Sequence, residues 1–171
     1  MSPLTRLAPV LSLACRCDMR GSDARGNGNA SNSIVIHASC IAAHDRAVLI
    51  RGAAGSGKSS LALQLMAYGG ALVADDQVIL THSDGALIAS CPATIAGLVE
   101  ARGIGILHAT PHGPCPVALV IDLDHTETDR IPPRRSENLL GCRLPLLHNV
   151  DSRAFAAAIL QYLKTGRQDA K

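Results

Sequence analysis

The stretch Gly52-Ala53-Ala54-Gly55-Ser56-Gly57-Lys58-Ser59 satisfies the pattern G-x-x-x-x-G-K-[ST], and it constrains the fold more than any other feature of the chain. A loop of this kind needs a strand before it and a helix after it. Ala47-Val48-Leu49-Ile50 is a short apolar run of strand formers, and Ser60-Leu61-Ala62-Leu63-Gln64-Leu65-Met66 puts Leu61 and Leu65 on one helical face. Gly52, Gly55 and Gly57 let the backbone turn tightly and aim several N–H groups at one anion, while the start of the helix adds the positive end of its dipole. The motif implies that Lys58 reaches the β- and γ-phosphates of a nucleotide and that the Ser59 hydroxyl holds Mg²⁺. In the empty loop Lys58 is expected to be exposed.

The loop names a ligand and not a reaction, so the rest of the chain must discriminate. With 171 residues, 47% of them hydrophobic, the chain suits one domain with one core. Its only aromatics are Tyr68, Phe155 and Tyr162, so the core is aliphatic and stacking of bases on aromatic platforms is excluded as a binding mode. Sixteen basic and 14 acidic residues give a net charge of +2, which offers no electrostatic footprint for nucleic acid. Six cysteines, at 15, 17, 40, 91, 115 and 142, form no C-x-x-C pair, so a thiolate metal site is unsupported. Cys40, Cys91 and Cys142 lie beside aliphatic residues and read as small core residues in a reducing compartment. Residues 7–15 resemble the apolar part of a secretion signal, but the run is short and Pro9 interrupts it. With no membrane-length apolar segment, the expected location is cytoplasmic.

Residues 18–33 are dominated by Gly, Asn and Ser, which makes 1–32 a disordered tail and linker, 33–165 the folded domain and 166–171 a short C-terminal tail. Within the domain the pattern predicts strands at Ile34–Ala43, Ala47–Arg51 and Ala71–Ala74, and a helix from the loop to about Tyr68 that Gly69-Gly70 ends. Ser83-Asp84-Gly85 turns a hairpin between Val78-Ile79-Leu80 and Ala86-Leu87-Ile88. Ile104–Leu107 and Val117–Leu123 are further strands, the second aliphatic enough to lie at the centre of a sheet. Residues 124–138 read as a long exposed loop, Pro92–Gly97 is ambiguous, and Asp151-Ser152 caps a last helix through Lys164 with Phe155, Ile159, Leu160 and Leu163 on its buried side.

Three polar groups stand out beside the loop. Asp75-Asp76 closes the strand Ala71–Ala74, where a carboxylate can approach a γ-phosphate. His37 lies within the apolar run Ile34–Ala38 and by itself reads as a hydrogen-bonded structural histidine. Glu100-Ala101-Arg102-Gly103-Ile104-Gly105-Ile106 by itself reads as a turn with a surface ion pair.

Taken in order, Ile36-His37, the loop 52–59, Leu72-Val73-Ala74-Asp75-Asp76 and Glu100-Ala101-Arg102-Gly103-Ile104-Gly105-Ile106 resemble the catalytic domain of bacterial HPr kinase/phosphorylase over about residues 33–163. The resemblance implies an α/β fold: a P-loop kinase-like sheet flanked by helices, with additional β-hairpins, on a phosphoenolpyruvate carboxykinase-like core. It implies ATP- and Mg²⁺-dependent serine phosphorylation of the phosphocarrier HPr, and the reverse reaction with inorganic phosphate, in a hexamer without nucleic-acid or membrane partners. It makes Asp75 the general base, sets His37 beside the transferred group, gives Ser59 and Glu100 to the metal, and leaves Asp76, Arg102 and Arg130 as secondary candidates. The sequence departs from the family at Ala53 and Ala54, where polar residues are usual, and at Ser60, where an acidic residue commonly stands. Arg130, Arg134 and Arg135 are candidates for the functional arginine of the family's mobile loop. Two other classes stay open: a nucleotide-sensing module with little turnover, and a small-molecule kinase on the same scaffold.

Overall fold

The computed structural model describes residues 32–168. The sequence-predicted tail 1–32 therefore lies outside the described residues except for Asn32, and 169–171 of the C-terminal tail lie outside them as well. The elements are β1 (Ser33–His37), β2 (Ser39–Ala43), β3 (Arg46–Arg51), α1 (Lys58–Ala67), β4 (Ala71–Ala74), β5 (Gln77–Ser83) and β6 (Ala86–Ser90) in the first half. A single 3₁₀ turn, Ala93–Ile95, resolves the ambiguous stretch, and then follow β7 (Leu98–Ala101), β8 (Gly105–His108), β9 (Cys115–Thr126), β10 (Arg135–Leu139), β11 (Cys142–Asn149) and α2 (Phe155–Thr165).

Nine strands form one sheet, in the order β1-β5-β6-β9-β3-β2-β4, with β11 also on β9 and β10 on β11. The aliphatic run 117–123 is its centre, as the sequence predicts. β9 lies parallel to β3, meets β6 through Cys115 and Pro116, and takes β11 in parallel from Val120 onward. Both faces of this region are buried, which is why the run does not alternate. Leu119 and Ile121 join Ile41, Val48 and Ile50 under Leu61 and Leu65 of α1 and Ile159 and Leu163 of α2. Val120 and Leu49 face the other way, into a second layer with Cys40, Val78, Leu80, Leu87 and Leu144. Cys40, Cys115 and Cys142 are buried and Cys91 half-buried, and burial pushes the Cys115 thiol up to about 11, so these cysteines serve as small apolar residues.

The structure corrects three expectations. The single strand at Ile34–Ala43 is two strands, because Ala38 breaks the run by donating its N–H to the Asp76 carbonyl, 3.2 Å away. β1 then pairs with β5, whereas β2 pairs with β3 and β4, a change of partners that an unbroken apolar pattern cannot announce. The long loop at 124–138 shrinks to residues 127–134, since β9 runs on to Thr126 and β10 begins at Arg135. Arg135-Ser136-Glu137-Asn138-Leu139 is a half-exposed polar strand, and its partner β11 carries Pro145, so neither has the alternation or composition that marks a strand. The last helix begins at Phe155, later than the Asp151-Ser152 cap: the Ser152 hydroxyl and carbonyl instead accept the Ala154 and Phe155 N–H groups in the preceding turn.

Helix α1 ends in a Schellman turn. The Gly70 N–H bonds the Leu65 carbonyl at 2.9 Å, the Gly69 N–H bonds that of Met66 at 3.0 Å, and Gly69 sits at φ +96°. This turn aims the chain directly into β4, and so toward Asp75. A Cβ at Gly70 would stand 2.7 Å from the Ile41 Cγ2 and 2.9 Å from the Leu65 carbonyl oxygen. Gly70→Ala is therefore expected to lower unfolding free energy by about 1–3 kcal/mol in denaturant titration, although alanine is the better helix former.

Candidate active site

Strand β3 delivers Gly52 at φ +150°, and Gly55 and Gly57 follow at +81° and +99°, in the left-handed region that glycine enters without strain. At Gly52 the requirement is also steric: a Cβ there would lie 2.5 Å from the Ser56 Oγ and 3.1 Å from the Leu123 Cβ. Around Gly55 and Gly57 there is open space instead. No side chain caps the first turn of α1, whose N-terminus opens on the loop. The loop thus offers backbone donors and a helix dipole to an anion.

Lys58 departs from the expectation of an exposed ammonium. It is buried, at 7% exposure, and its Nζ donates to the Gly52 and Ala53 carbonyls at 2.9 and 3.0 Å. The loop folds over its own cation because a buried charge needs partners. The Ser56 hydroxyl oxygen, by contrast, is buried without a hydrogen-bond partner.

The two aspartates at the end of β4 occupy opposite environments. Asp75 is buried, at 5% exposure, and receives three donors: the Ser39 hydroxyl at 2.5 Å and the Ser59 hydroxyl at 3.0 Å on Oδ1, and the Glu100 N–H at 3.1 Å on Oδ2. Asp76 turns outward at φ +72°, with its side chain 65% exposed and its Oδ1 3.0 Å from the His37 Nδ1. His37 also lies 3.0 Å from the Asp76 carbonyl oxygen, so β1 and the β4–β5 corner hold the pair together. The Glu100–Ile106 motif forms the hairpin of β7 and β8: Glu100 pairs with Ile106, Ala101 with Gly105, and Gly103 and Gly105 supply positive φ. The glycines are there for the turn.

These parts enclose a cleft of about 530 Å³. It brings together His37, Ala54, Gly55, Gly57, Lys58, Ser59, Asp75, Asp76, Glu100 and Arg102 from the sequence-predicted set, while Gly52, Ala53 and Ser56 form the loop behind it. Arg130 does not enter it. That residue lines a separate apolar recess with Phe155 and Ile159, Arg134 reaches the Arg167 carbonyl at 3.4 Å, and Arg135 pairs with Glu127.

Two groups were missed by the sequence reading. Ser39 looked like one more residue of an apolar strand, yet it is fully buried against Asp75. Asp122 and Asp124 lie among the last residues of β9 beside the loop, and the signal was an aliphatic run, Ala118-Leu119-Val120-Ile121, followed by acidic residues. The Asp124 Oδ1 accepts the Ala53 N–H at 2.8 Å, and the Asp122 Oδ1 accepts the Asp124 N–H at 2.9 Å. Burial pushes the Asp122 carboxyl up, but the Asp124 N–H, the hydrogen bond and charge of His125 and the charge of Arg51 together hold it below the usual carboxylate range.

The family profile described as HPr Serine kinase C-terminal domain matches residues 29–131, more than half of the chain. The chain belongs to that family. An HPr kinase/phosphorylase of Clostridium botulinum is 48% identical over 63 residues, which make up 37% of this chain and 21% of the relative. One from Stenotrophomonas maltophilia is 41% identical over 76 residues, 44% of this chain and 24% of the relative. The chain thus aligns with about a fifth to a quarter of the length of these relatives. Among solved structures, the HPr(Ser) kinase/phosphatase from Coxiella burnetii superposes with a TM-score of 0.65 at 27% identity, covering 77% of this chain and 94% of that one. The superposition supports the expected α/β class, a large curled sheet with few helices. The family match holds every residue of the cleft and ends before β10, β11 and α2. Among the described residues no helix is long and apolar enough to cross a membrane.

Because the folded pKa of Asp122 lies below its unfolded value, its contribution to stability is present above about pH 4 and is lost as acid protonates the folded carboxylate. Asp122→Asn is expected to melt below the wild type at pH 7, with the gap closing by about pH 2–3. Thermal melts of both proteins across that range check the sign.

Proposed function

We propose that this domain is an ATP-dependent serine kinase for an HPr-like phosphocarrier, with phosphate-dependent dephosphorylation as the same chemistry run backward. The reading rests on the family and, within the structure, on one observation: a buried, fully hydrogen-bonded aspartate and an exposed, histidine-paired one stand side by side facing the phosphate loop.

The residues present fit a nucleotide triphosphate. Three glycines at positive φ, an uncapped helix start, an unpartnered Ser56 hydroxyl and the Lys58 ammonium all belong to one loop. Ser59 and Glu100, both lining the cleft, are the residues that would hold Mg²⁺ together with the phosphates. Among the described residues no group of three or more His, Cys, Asp or Glu is placed to hold a metal alone, and Mg²⁺ characteristically relies on phosphates and water. When bound, it would neutralise charge on the phosphates during transfer.

The geometry favours a different division of labour from the one the resemblance implies. A general base must come within hydrogen-bond reach of the hydroxyl it deprotonates. Asp75 is buried with both oxygens engaged, so its part is to fix Ser59 and the β7–β8 hairpin. Asp76 stands at the mouth and accepts the seryl proton, with His37 orienting it. The seryl oxygen then bonds the γ-phosphorus as the bond to the ADP oxygen breaks, and the proton leaves Asp76 for solvent. Reversal makes Asp76 the acid that returns a proton to the seryl oxygen while inorganic phosphate takes the phosphoryl group, yielding pyrophosphate. Lys58 and Arg102 are the cleft's cations, and Arg130 has no part in it.

Asp76→Asn should keep ATP affinity and melting temperature while lowering transfer from ATP to HPr by about 10²–10⁴. Asp75→Asn should instead lower the melting temperature, because an amide N–H₂ would face one of three donors. Transfer at the wild-type rate by Asp76→Asn removes Asp76 as the base. Wild-type protein that binds ATP yet phosphorylates no HPr removes the kinase reading and leaves a nucleotide sensor. Lys58→Ala should abolish ATP binding in either case.

A further inference from the structure

The phosphate loop is gripped from the side opposite Asp75, by residues that the reaction as described does not use. β9 runs parallel to β3, with Asp122 level with Arg51, so the last residues of β9 pass beside the start of the loop. The Asp124 Oδ1 there accepts the Ala53 N–H at 2.8 Å. Ala53 also supplies one of the two carbonyls that hold the Lys58 Nζ, at 3.0 Å. One loop residue is therefore pinned through its N–H by β9 while its carbonyl sets the position of the phosphate-binding ammonium. Asp124 is itself braced: its N–H donates to the Asp122 Oδ1, the Asp122 Oδ2 lies 3.0 Å from the His125 Nδ1, and the His125 ring stacks on that of His148 with centroids 5.2 Å apart.

A carboxylate at this spot repels the phosphates that the loop is built to hold. Its presence makes sense for the hydrogen bond it accepts and not for its charge. We propose that Asp124 is a positioning residue for nucleotide binding, which fixes the start of the phosphate loop through the Ala53 N–H and thereby places Lys58. The inference rests on the nucleotide-binding reading of the loop and is independent of the phosphoacceptor.

Hydrogen bonding and charge predict opposite outcomes in two substitutions. Asp124→Ala removes the acceptor and should weaken Mg-ATP binding about 3- to 30-fold, less than the full worth of a hydrogen bond to a charged group because Asp124 is exposed and solvent screens it. Asp124→Asn keeps a side-chain oxygen for the Ala53 N–H and removes the charge, so it should restore affinity to the wild-type level or beyond, most clearly at low salt. Asp124 is exposed, so neither variant should melt more than a few degrees below the wild type.

Titration calorimetry with Mg-ATP alone, at low and at 0.5 M salt, reads all three proteins without any acceptor protein. The inference is overturned if the alanine variant binds as tightly as wild type, if both variants tighten equally, or if asparagine is as weak as alanine. If the alanine variant does not fold, Asp124→Ser, too short to reach Ala53, takes its place with the same expected weakening. A wild-type protein that binds no nucleotide overturns the nucleotide reading and this inference together; wild-type binding with an unweakened alanine variant overturns this inference alone.

Discussion

The Asp75 carboxylate is the group on which the rest of the site depends. A buried charge is tolerated only where donors surround it, and here the donors come from three different elements: Ser39 at the start of β2, Ser59 in the first turn of α1 and the Glu100 N–H in β7. One acceptor thus ties the antiparallel half of the sheet, the phosphate-loop helix and the hairpin that lines the far wall of the cleft. Ile41 of β2, Leu61 of α1 and Val99 of β7 also share one buried apolar cluster. Apolar packing brings the elements together and hydrogen bonds of narrow geometry fix their ends, which suits a site that must hold reacting groups to fractions of an ångström.

Much of this was legible in the sequence where local rules govern it. The strand–loop–helix unit around Gly52–Ser59 announced itself because glycine spacing, an apolar strand and a helical face agree within 20 or so consecutive residues. The Gly69-Gly70 stop and the Ser83-Asp84-Gly85 turn were readable for the same reason. What was not legible depends on distant partners. The break at Ala38 arises from a bond to Asp76, Ser39 gains its meaning only from Asp75, and β10 is a strand because β11 offers it a ladder, although its own residues are polar. Lys58 was misjudged through the same blindness: two backbone carbonyls of its own loop shelter it, and no residue pattern encodes where a long side chain folds back.

The difference between Asp75 and Asp76 shows how little sequence adjacency constrains chemistry. One peptide unit separates them, yet the left-handed backbone at Asp76 turns its side chain into water while that of Asp75 points inward. A non-glycine residue at positive φ costs stability, and such strain persists where the surroundings over-determine it. Here the Asp76 carbonyl accepts the Ala38 N–H and its carboxylate meets His37, so both sides of the peptide are held.

The two carbonyls that shelter Lys58 make the loop the holder of its own cation. Two of the three ammonium N–H groups are engaged and one remains, so an arriving anion meets a cation whose position is already set and adds a partner to it. When the anion departs, the same two carbonyls hold the ammonium. A departing product therefore leaves behind no uncompensated charge, and the empty loop needs no new partner for its cation.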